Sequence, residues 1–368
     1  MDHAARRRRL LEGKAVDGFL IFDLDRTMPS HMDLSNMQYL SGYTGEAALL
    51  ITHDETVILT DSRYLEQAEK QVPELPRIHA ELKYYDELAR TIGERNLKRI
   101  GYASWRTTDY VLSRLREISD TEWIPFEDPV TQLRAVKDAD EIAASREAIR
   151  IAEEALAHLR DTVRVGMNEV EIADALSAKM RELGSERVAF GPTVASGPNS
   201  ALPHYRPSLN PRDLQRGDFL LIDFGAIVDG YASDITRTFV VGEADEKQEE
   251  IYRLVLESMR IGIESMGPGV VGDVPHEAAR QVILDSPYAK DIFLSPLGHG
   301  VGLEVHELPK MGLNVGELLE PGMVVTVEPG IYIPGYGGVR IEDTVLVTET
   351  GFEVLTSFPN EALFSVGA

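Results

Sequence analysis

The fold of this chain is decided by the stretch Phe219-Leu-Leu-Ile-Asp-Phe-Gly-Ala-Ile-Val-Asp-Gly-Tyr-Ala-Ser-Asp-Ile-Thr-Arg-Thr-Phe239. Apolar residues fill both of its ends, and the pair Asp229-Gly230 lies between them. An Asp-Gly pair between two such runs is typical of a β-hairpin with a two-residue type I′ turn. The stretch therefore predicts a hairpin in which Asp223 opposes Thr236.

Two carboxylates share one face of this predicted hairpin. In the same register Gly225 opposes Asp234, so Asp223 and Asp234 are diagonal neighbours, about 7–8 Å apart. Two acids on a face built for burial repel each other and are costly to desolvate. The face could be solvated, or the acids could pair with Arg237, although strand alternation directs Arg237 to the opposite face. A cation between the two acids is the other interpretation, and the hairpin alone leaves both open.

Composition narrows the classes of function. The 368 residues are 43% hydrophobic and 27% charged, which predicts a soluble globular protein, and this length favours two domains. The net charge of −24 argues against nucleic acid or an anionic membrane as a partner, because both require a basic surface. The chain has no cysteine, so a metal site would have to use oxygen and imidazole ligands.

We expect neither a membrane span nor an export signal in this sequence. No apolar run reaches the roughly 18 residues of a membrane span. The run Arg6–Arg9 resembles the start of a twin-arginine signal, but Glu12, Lys14 and Asp17 interrupt the stretch that follows it. We interpret the arginines as the exposed face of a first helix and expect a cytoplasmic protein.

Two domains are expected, over residues 1–128 and 129–368. Strands and helices alternate in the first, which predicts an α/β domain. Pro125 and Pro129 mark a change of character, after which the helices form one block. The second domain is therefore predicted to be α+β, with helices packed on antiparallel sheet. Its helices are predicted over 141–160, from Asn168 to Gly184, 246–266 and 274–284, and its later strands over 323–327, 331–333 and 338–347.

Further candidates for a site lie in the second domain. Two histidines stand in Gly298-His-Gly-Val-Gly-Leu-Glu-Val-His-Glu307, where glycines permit close approach of the backbone. Glu328 ends an apolar strand before Pro329, and it could be no more than the first solvated residue. Arg340 and Glu342 alternate with apolar residues and share a face, so they could equally be an ion pair on a wet sheet.

Together these residues are an inventory for metal binding. Four carboxylates and one imidazole suit two divalent ions about 3.5–4 Å apart, with some carboxylates bridging them. Oxygen-rich ligation of this kind favours Mn²⁺ or Co²⁺ and tolerates Zn²⁺. The inventory is Asp223, Asp234, His299, Glu328 and Glu342.

The motifs resemble the pita-bread metallopeptidases, the family of prolidase, aminopeptidase P and methionine aminopeptidase. Residues 141–356 carry them in family order, and residues 1–128 are similar to the creatinase-like N-terminal domain of the proline-specific branch. The motifs are Ser196-Gly-Pro-Asn-Ser-Ala-Leu-Pro-His204, Asp223-Phe-Gly225, Ser233-Asp-Ile-Thr-Arg-Thr238, the glycine-flanked histidines, Thr326-Val-Glu-Pro-Gly330 and Gly338-Val-Arg-Ile-Glu-Asp343. In the first half they are Gln38-Tyr-Leu-Ser-Gly-Tyr-Thr-Gly45 and Thr60-Asp-Ser-Arg-Tyr64.

The resemblance implies a role for each candidate residue. Asp223 would chelate one ion, Asp234 and Glu342 would bridge, and His299 and Glu328 would complete the second ion. Glu328 would also accept a proton from the attacking water. The resemblance further implies that His204 and His306 flank the substrate and that Arg340 receives the carboxylate on the product side, unless it braces the metal ligands instead.

The resemblance also implies an activity: hydrolysis of small peptides with proline at the second position, by a homodimer whose N-terminal domain builds the dimer. The ligand set is complete, unlike that of creatinase-like amidinohydrolases and noncatalytic relatives, although a binding module that retains the metal site stays an alternative. One departure is Ser295, where many proline-specific relatives carry a histidine. We expect an Xaa-Pro dipeptidase, with an Xaa-Pro aminopeptidase as the alternative.

Overall fold

The computed structural model describes residues 1–23, 34–81, 83–291 and 296–367. The chain forms two compact units, Met1–Arg134 and Ala135–Ala368. The sequence-based boundary lies between residues 128 and 129, just before the helix Pro129–Ala135. Within the described residues, no helix has both the length and the apolar character that crossing a bilayer requires. Ser295 lies outside the described residues.

The first unit is built on one mixed six-stranded sheet in the order β4-β3-β2-β1-β5-β6. Its strands are β1 (Gly18–Asp23), β2 (Ala47–Thr52), β3 (Thr56–Thr60), β4 (Arg77–His79), β5 (Arg99–Ala103) and β6 (Glu122–Phe126). Its helices are α1 (His3–Leu11), α2 (Ser35–Ser41), α3 (Leu65–Gln71), α4 (Tyr84–Glu94), α5 (Asp109–Ile118) and α6 (Pro129–Ala135). Strands and helices alternate along much of the unit, so the predicted α/β class is confirmed.

The second unit combines long helices with several antiparallel sheets. Its helices are α7 (Ala139–Thr162), α8 (Glu169–Glu182), α9 (Glu246–Glu264) and α10 (Asp273–Leu284). Its strands are β7 (Thr193–Ser196), β8 (Phe219–Phe224), β9 (Ile227–Val228), β10 (Tyr231–Ala232), β11 (Ile235–Val241), β12 (Gly298–Gly300), β13 (Glu307–Met311), β14 (Val324–Val327), β15 (Gly330–Ile333), β16 (Gly337–Arg340), β17 (Asp343–Thr348), β18 (Gly351–Val354) and β19 (Ser365–Val366).

Helices cover one side of each main sheet in this unit. The sheet β19-β11-β8-β7 packs on α7 and α8 through residues such as Leu156, Leu176 and Ile222. The sheet β13-β12-β14-β17-β18 shares a core with α9 and α10 that includes Val255 and Val325. Burial of these apolar faces is the main favourable contribution to folding. The predicted α+β class, with helices on antiparallel sheet, is confirmed.

The predicted hairpin forms in the predicted register. Asp223 pairs with Thr236 between β8 and β11, and Val228 pairs with Tyr231 at the turn. Both turn residues have left-handed backbones, with φ of 50° at Asp229 and 82° at Gly230. Two positive φ angles define a type I′ turn, which follows the natural twist of the two strands.

One predicted strand is wrong in its extent. Residues 338–347 were expected to be continuous, but β16 ends at Arg340 and β17 begins at Asp343. β16 pairs with β15, whereas β17 pairs with β14 and β18, so the chain changes partners between them. The guanidinium of Arg237 donates a hydrogen bond to the carbonyl of Glu342 at this break. The local pattern of alternation carried no sign of that long-range contact.

Candidate metal centre

The hairpin separates its residues into two faces. Ile222 and Phe224 of β8 and Ile235 of β11 lie in the core beneath α7 and α8. Strand alternation therefore directs Asp223 and Asp234 to the opposite face. Arg237 is buried and pairs with Asp343 at 2.7 Å, so the structure assigns it a partner other than the two hairpin acids.

The position of His299 is fixed by the backbone of the two neighbouring glycines and by Thr326. A Cβ added at Gly298 would lie 1.9 Å from the Thr326 carbonyl oxygen, so only glycine permits this approach of the strands. The His299 amide donates to Thr326 Oγ1 at 3.1 Å, and Nδ1 lies 3.1 Å from the Gly300 carbonyl. This arrangement suits a proton on Nδ1 and leaves the Nε2 lone pair for a ligand.

Three carboxylates surround Nε2 of His299 or lie close to it. Nε2 is 3.3 Å from Glu328 Oε1 and 3.8 Å from Asp234 Oδ2. Ligand atoms of Asp234, His299 and Glu342 all lie within 4.8 Å of one another. Glu328 follows the end of β14, and Glu342 lies at the break between β16 and β17. Residues from four strand segments thus converge on one place.

The carboxylates at this place have oxygens without partners. Asp223 Oδ1, Asp234 Oδ1 and Glu342 Oε1 are buried, and none has a hydrogen-bond partner among the described residues. A buried acceptor without a donor costs about 1–3 kcal/mol, and a charged one costs more. Divalent cations would satisfy all three atoms, and the oxygen and imidazole donors suit such ions. The residues therefore fit a metal centre.

Burial and repulsion between neighbouring carboxylates raise the pKa values of two acids at this centre. Burial raises the pKa of Asp234 well above its usual value, and the charges of Glu342 and Asp223 raise it further. Burial also raises the pKa of Glu342, together with the charges of Glu328 and Asp223. The positive charge of Arg340 opposes both shifts without cancelling them.

Glu328 shows the opposite behaviour. Burial opposes its ionisation, but the hydrogen bond and charge of His299 outweigh burial, and the pKa of Glu328 is lowered. The pKa of His299 is raised even though burial opposes this, because Glu328 stabilises its charged form. Glu328 therefore remains ionised at neutral pH, as a proton acceptor must.

Arg340 is buried and contacts the centre. Its Nη2 donates to Asp223 Oδ2, and its Nε lies 3.1 Å from Thr236 Oγ1. Its Nη1 donates to the hydroxyl of Tyr332 at 2.7 Å and to the carbonyl of Pro203 at 3.3 Å. These four bonds occupy four of the five N–H groups of a guanidinium. Arg340 braces Asp223 in this structure.

The two other candidate histidines, His204 and His306, are exposed. The rings of His306 and His299 are 4.1 Å apart between centroids. Partial loss of hydration beside the His299 ring lowers the pKa of His306, and the charges of His299 and His204 lower it further, which favours a neutral ring. His204 stands in a groove of about 470 Å³ that is lined by Leu202, Pro203, Tyr205, Arg206, Leu209 and Asn210.

A buried carboxylate organises the segment that carries His204. Glu169, the first residue of α8, is fully buried. It accepts hydrogen bonds from the Ser196 amide and hydroxyl, from the Asn199 side chain and from the Tyr205 hydroxyl. It also accepts from the Arg212 amide. One acid thus ties both ends of the segment to a helix terminus.

Sequence reasoning missed Thr236 and Tyr332 as members of this site. Thr236 donates to Glu342 Oε2 at 2.7 Å, which turns the other oxygen of that carboxylate toward the centre. Its place on the same face as the acids could have been predicted from the sequence, because Thr236 follows Asp234 by two residues and opposes Asp223 in the predicted register. Tyr332 carried no such signal, since its contact with Arg340 depends on the pairing of β15 with β16.

Both parts of the chain are similar to known protein families. Residues 143–349 match metallopeptidase family M24, and residues 4–136 match the creatinase/prolidase N-terminal domain. The Xaa-Pro dipeptidase of Pyrococcus furiosus is 37% identical over 330 residues, which cover 89% of this chain and 92% of that protein.

Solved structures extend the similarity to the whole fold. The Xaa-Pro dipeptidase from Bacillus anthracis superposes with a TM-score of 0.91 at 36% identity, over 99% of this chain and 100% of that one. The X-Pro aminopeptidase from Thermotoga maritima gives 0.89 at 35% identity, over 98% and 100%. With its pita-bread catalytic fold and convergent carboxylates, this chain belongs to metallopeptidase family M24.

Proposed function

We propose that this metallopeptidase hydrolyses the Xaa-Pro bond of small peptides and that it acts as an Xaa-Pro dipeptidase. The observation that carries the proposal is the group of buried carboxylate oxygens without partners around His299. The names of the relatives support the proline specificity, since both dipeptidases and an aminopeptidase are among them.

Five residues would hold two divalent ions, with Mn²⁺ as the proposed metal: Asp223, Asp234, His299, Glu328 and Glu342. When bound, such ions supply Lewis acidity, which polarises a peptide carbonyl and lowers the pKa of water. The chain supplies the anionic cage, and Thr236 and Arg340 orient two of its members. Partners of this kind fix ligand geometry and raise ligand affinity.

The remaining residues would handle protons and charge. Glu328 is ionised at neutral pH by the lowering of its pKa, and it would accept a proton from the attacking water. His306 is favoured in its neutral form, which can donate a hydrogen bond to the oxyanion or to the leaving nitrogen. We assign His204 to the same face of the substrate, because the residue before it, Pro203, accepts a hydrogen bond from Arg340 at the centre.

The preference for dipeptides rests on what closes the cleft. β15 and β16 are joined by a tight turn in which the Tyr336 amide donates to the Ile333 carbonyl, so no long insertion is present there to guide an extended peptide. The alternative is an Xaa-Pro aminopeptidase that acts on longer peptides. One observation favours this alternative: protein groups occupy four of the N–H groups of Arg340, which leaves one for a product carboxylate.

Peptide hydrolysis after addition of Mn²⁺ tests the activity. We expect cleavage of Xaa-Pro dipeptides by the metal-loaded protein and none in the presence of a chelator. A metal-loaded protein that binds such peptides without cleaving them would instead support a binding module that retains the site.

Comparison of three substrates tests the preference: an Xaa-Pro dipeptide, its C-terminal amide and an Xaa-Pro-Xaa tripeptide. If Arg340 receives the carboxylate, the amide should lower kcat/KM by about 10–100-fold, which is the effect of one charge-assisted contact. Faster cleavage of the tripeptide would contradict the dipeptidase assignment and leave the Xaa-Pro activity standing.

A further inference from the structure

Another buried ion pair lies close to the proposed catalytic histidine. Lys137 Nζ is 2.7 Å from Glu307 Oε1, and both side chains are 1% exposed. Glu307 is the first residue of β13 and directly follows His306. A fully desolvated ammonium and carboxylate are costly to bury, and the cost is recovered only when their mutual geometry is good. Such a pair next to a functional residue therefore requires an explanation.

The backbone of Lys137 is fixed independently of Glu307. Its amide donates to the Gly322 carbonyl at 2.9 Å, and Val136 forms a β-bridge with Met323. Its ammonium also lies 3.3 Å from the Ala135 carbonyl. Met323 directly precedes β14, the strand that leads to Glu328. Lys137 thus projects from a segment attached to the frame of the metal centre.

Glu307 in turn contacts the turn that carries His306. Its Oε2 lies 3.4 Å from the Glu304 amide. A Cβ added at Gly302 would lie 2.3 Å from Glu307 Oε1 and 3.1 Å from Lys137 Cε, so the ion pair packs directly on the Gly302 backbone. The Gly302 carbonyl accepts a hydrogen bond from the Ala232 amide of β10 at 2.8 Å. The turn is therefore held between the ion pair and the hairpin.

We propose that Lys137 is a positioning residue: its ion pair with Glu307 fixes the turn over residues 302–306 and thereby holds the His306 ring against His299. The catalytic consequence rests on the proposed function, because it assumes that His306 contacts the substrate. Displacement of a catalytic group by about 1 Å can reduce the rate by about 100-fold. Neither Lys137 nor Glu307 is one of the five proposed metal ligands, although β13 pairs with the strand that carries His299, so the Mn²⁺ content of each variant must be measured beside its activity.

Three variants test the proposal by activity. Lys137→Met removes the ammonium, Lys137→Met/Glu307→Gln removes both charges, and Gly302→Ala displaces the carboxylate without removing a charge. We expect each to lower kcat by about 10–100-fold with KM changed less than about 3-fold and Mn²⁺ content unchanged. Lys179→Met is the matched control, because Lys179 pairs with Glu182 on the exposed side of α8 and should leave kcat unchanged.

The double variant separates positioning from folding. Lys137→Met alone leaves a buried charge without its partner and is expected to lower the Tm, whereas the double variant should recover most of it. A double variant that recovers both Tm and kcat would show that the pair only stabilises the fold and would overturn the proposal. Recovery of Tm with kcat still reduced is the expected result.

A readout without substrate distinguishes this proposal from the proposed function. The Cε1–H resonance of His306 in the metal-free protein is assigned by comparison with His306→Gln. We expect it to shift in Lys137→Met and in the double variant, because the ring leaves its place against His299, and to stay in Lys179→Met. An unchanged resonance would overturn the positioning role. If the wild-type protein cleaves no Xaa-Pro peptide, the proposed function fails and this measurement still decides the role of Lys137.

Discussion

Asp234 would have to be ionised to bind a metal ion, but its surroundings oppose ionisation. The residue is 5% exposed and lies among other acids. Replacement by Asn keeps its shape and removes its charge. We expect Asp234→Asn to lower Mn²⁺ affinity by about 100-fold or more, while the Tm of the metal-free protein stays level or rises because repulsion is relieved. Calorimetry with and without chelator measures both effects. Retained metal affinity with a large loss of metal-free stability would indicate a purely structural acid.

The same substitution should change how stability depends on pH. The pKa of Asp234 is raised above its usual 3.8, so its contribution to stability is fully present below that value and is lost as pH rises through the raised pKa. The Tm advantage of Asp234→Asn in chelator should therefore grow with pH from about 4 upward. Asp174→Asn, on the exposed side of α8, is the control and should show no such trend. Parallel pH profiles for wild type and Asp234→Asn would contradict this prediction.

Substitution of Arg340 decides between its two interpretations. Arg340→Met removes the donor to Asp223 Oδ2. If the arginine braces the ligand, Mn²⁺ affinity should fall by about 10–100-fold, the usual effect of losing such a partner. Unchanged affinity with a raised KM for Xaa-Pro dipeptides would assign Arg340 to the substrate instead. Arg253→Met, on the exposed face of α9, serves as the control for loss of a positive charge.

For single residues, the sequence predicts which acids share a face of the hairpin. It does not predict which side chains orient the carboxylates. The Asp-Gly turn fixes the register, and the register places Asp223 and Asp234 together. The bond from Thr236 to Glu342 joins residues 106 positions apart, and the bond from Arg340 to Asp223 joins residues 117 apart. The ion pair of Lys137 with Glu307 joins residues that are still farther apart in sequence. No local pattern contains such contacts.

Among the elements, the hairpin depends most on its turn. Gly230 has φ of 82°, which an L-residue adopts at a cost of about 1–2 kcal/mol. We therefore expect Gly230→Ala to lower the free energy of unfolding by about 1–2 kcal/mol in chemical denaturation. Mn²⁺ affinity should change little, because the register is also held by the pairing of β8 with β11. Gly351→Ala is the control, since its added Cβ would meet open space. Equal effects of the two substitutions would contradict this role of the turn.

Elements whose partners are near in sequence were the most predictable. α7 and α8 each begin with a capping box, at Asp138 and Asn168, and the second of these was recognisable from the spacing of its polar residues. The break between β16 and β17 could not be recognised from the sequence, because it arises where the chain passes from one sheet to another. Residues 339–342 alternate between apolar and polar up to the start of β17, and so the sequence predicted a single strand there.

For the whole molecule we predict a homodimer, as the resemblance of residues 4–136 to the creatinase/prolidase N-terminal domain suggests. Sedimentation velocity at micromolar concentration should give the mass of two chains of 40.8 kDa. Removal of metal should not dissociate them, because the proposed metal ligands all lie in the unit Ala135–Ala368. A monomer under these conditions would contradict the prediction.

The convergence of Asp234, His299 and Glu342 from distant strands also has a consequence for the order of events in folding. No two of these residues are close in sequence, so the unfolded chain has no preformed site for a cation. Metal should therefore bind only after the sheets have assembled and should stabilise contacts absent from the folding transition state. Such contacts slow unfolding and leave the folding rate unchanged. In stopped-flow experiments Mn²⁺ should thus leave the rate of the refolding limb unaltered and should reduce the unfolding rate, and acceleration of refolding by the metal would contradict this order.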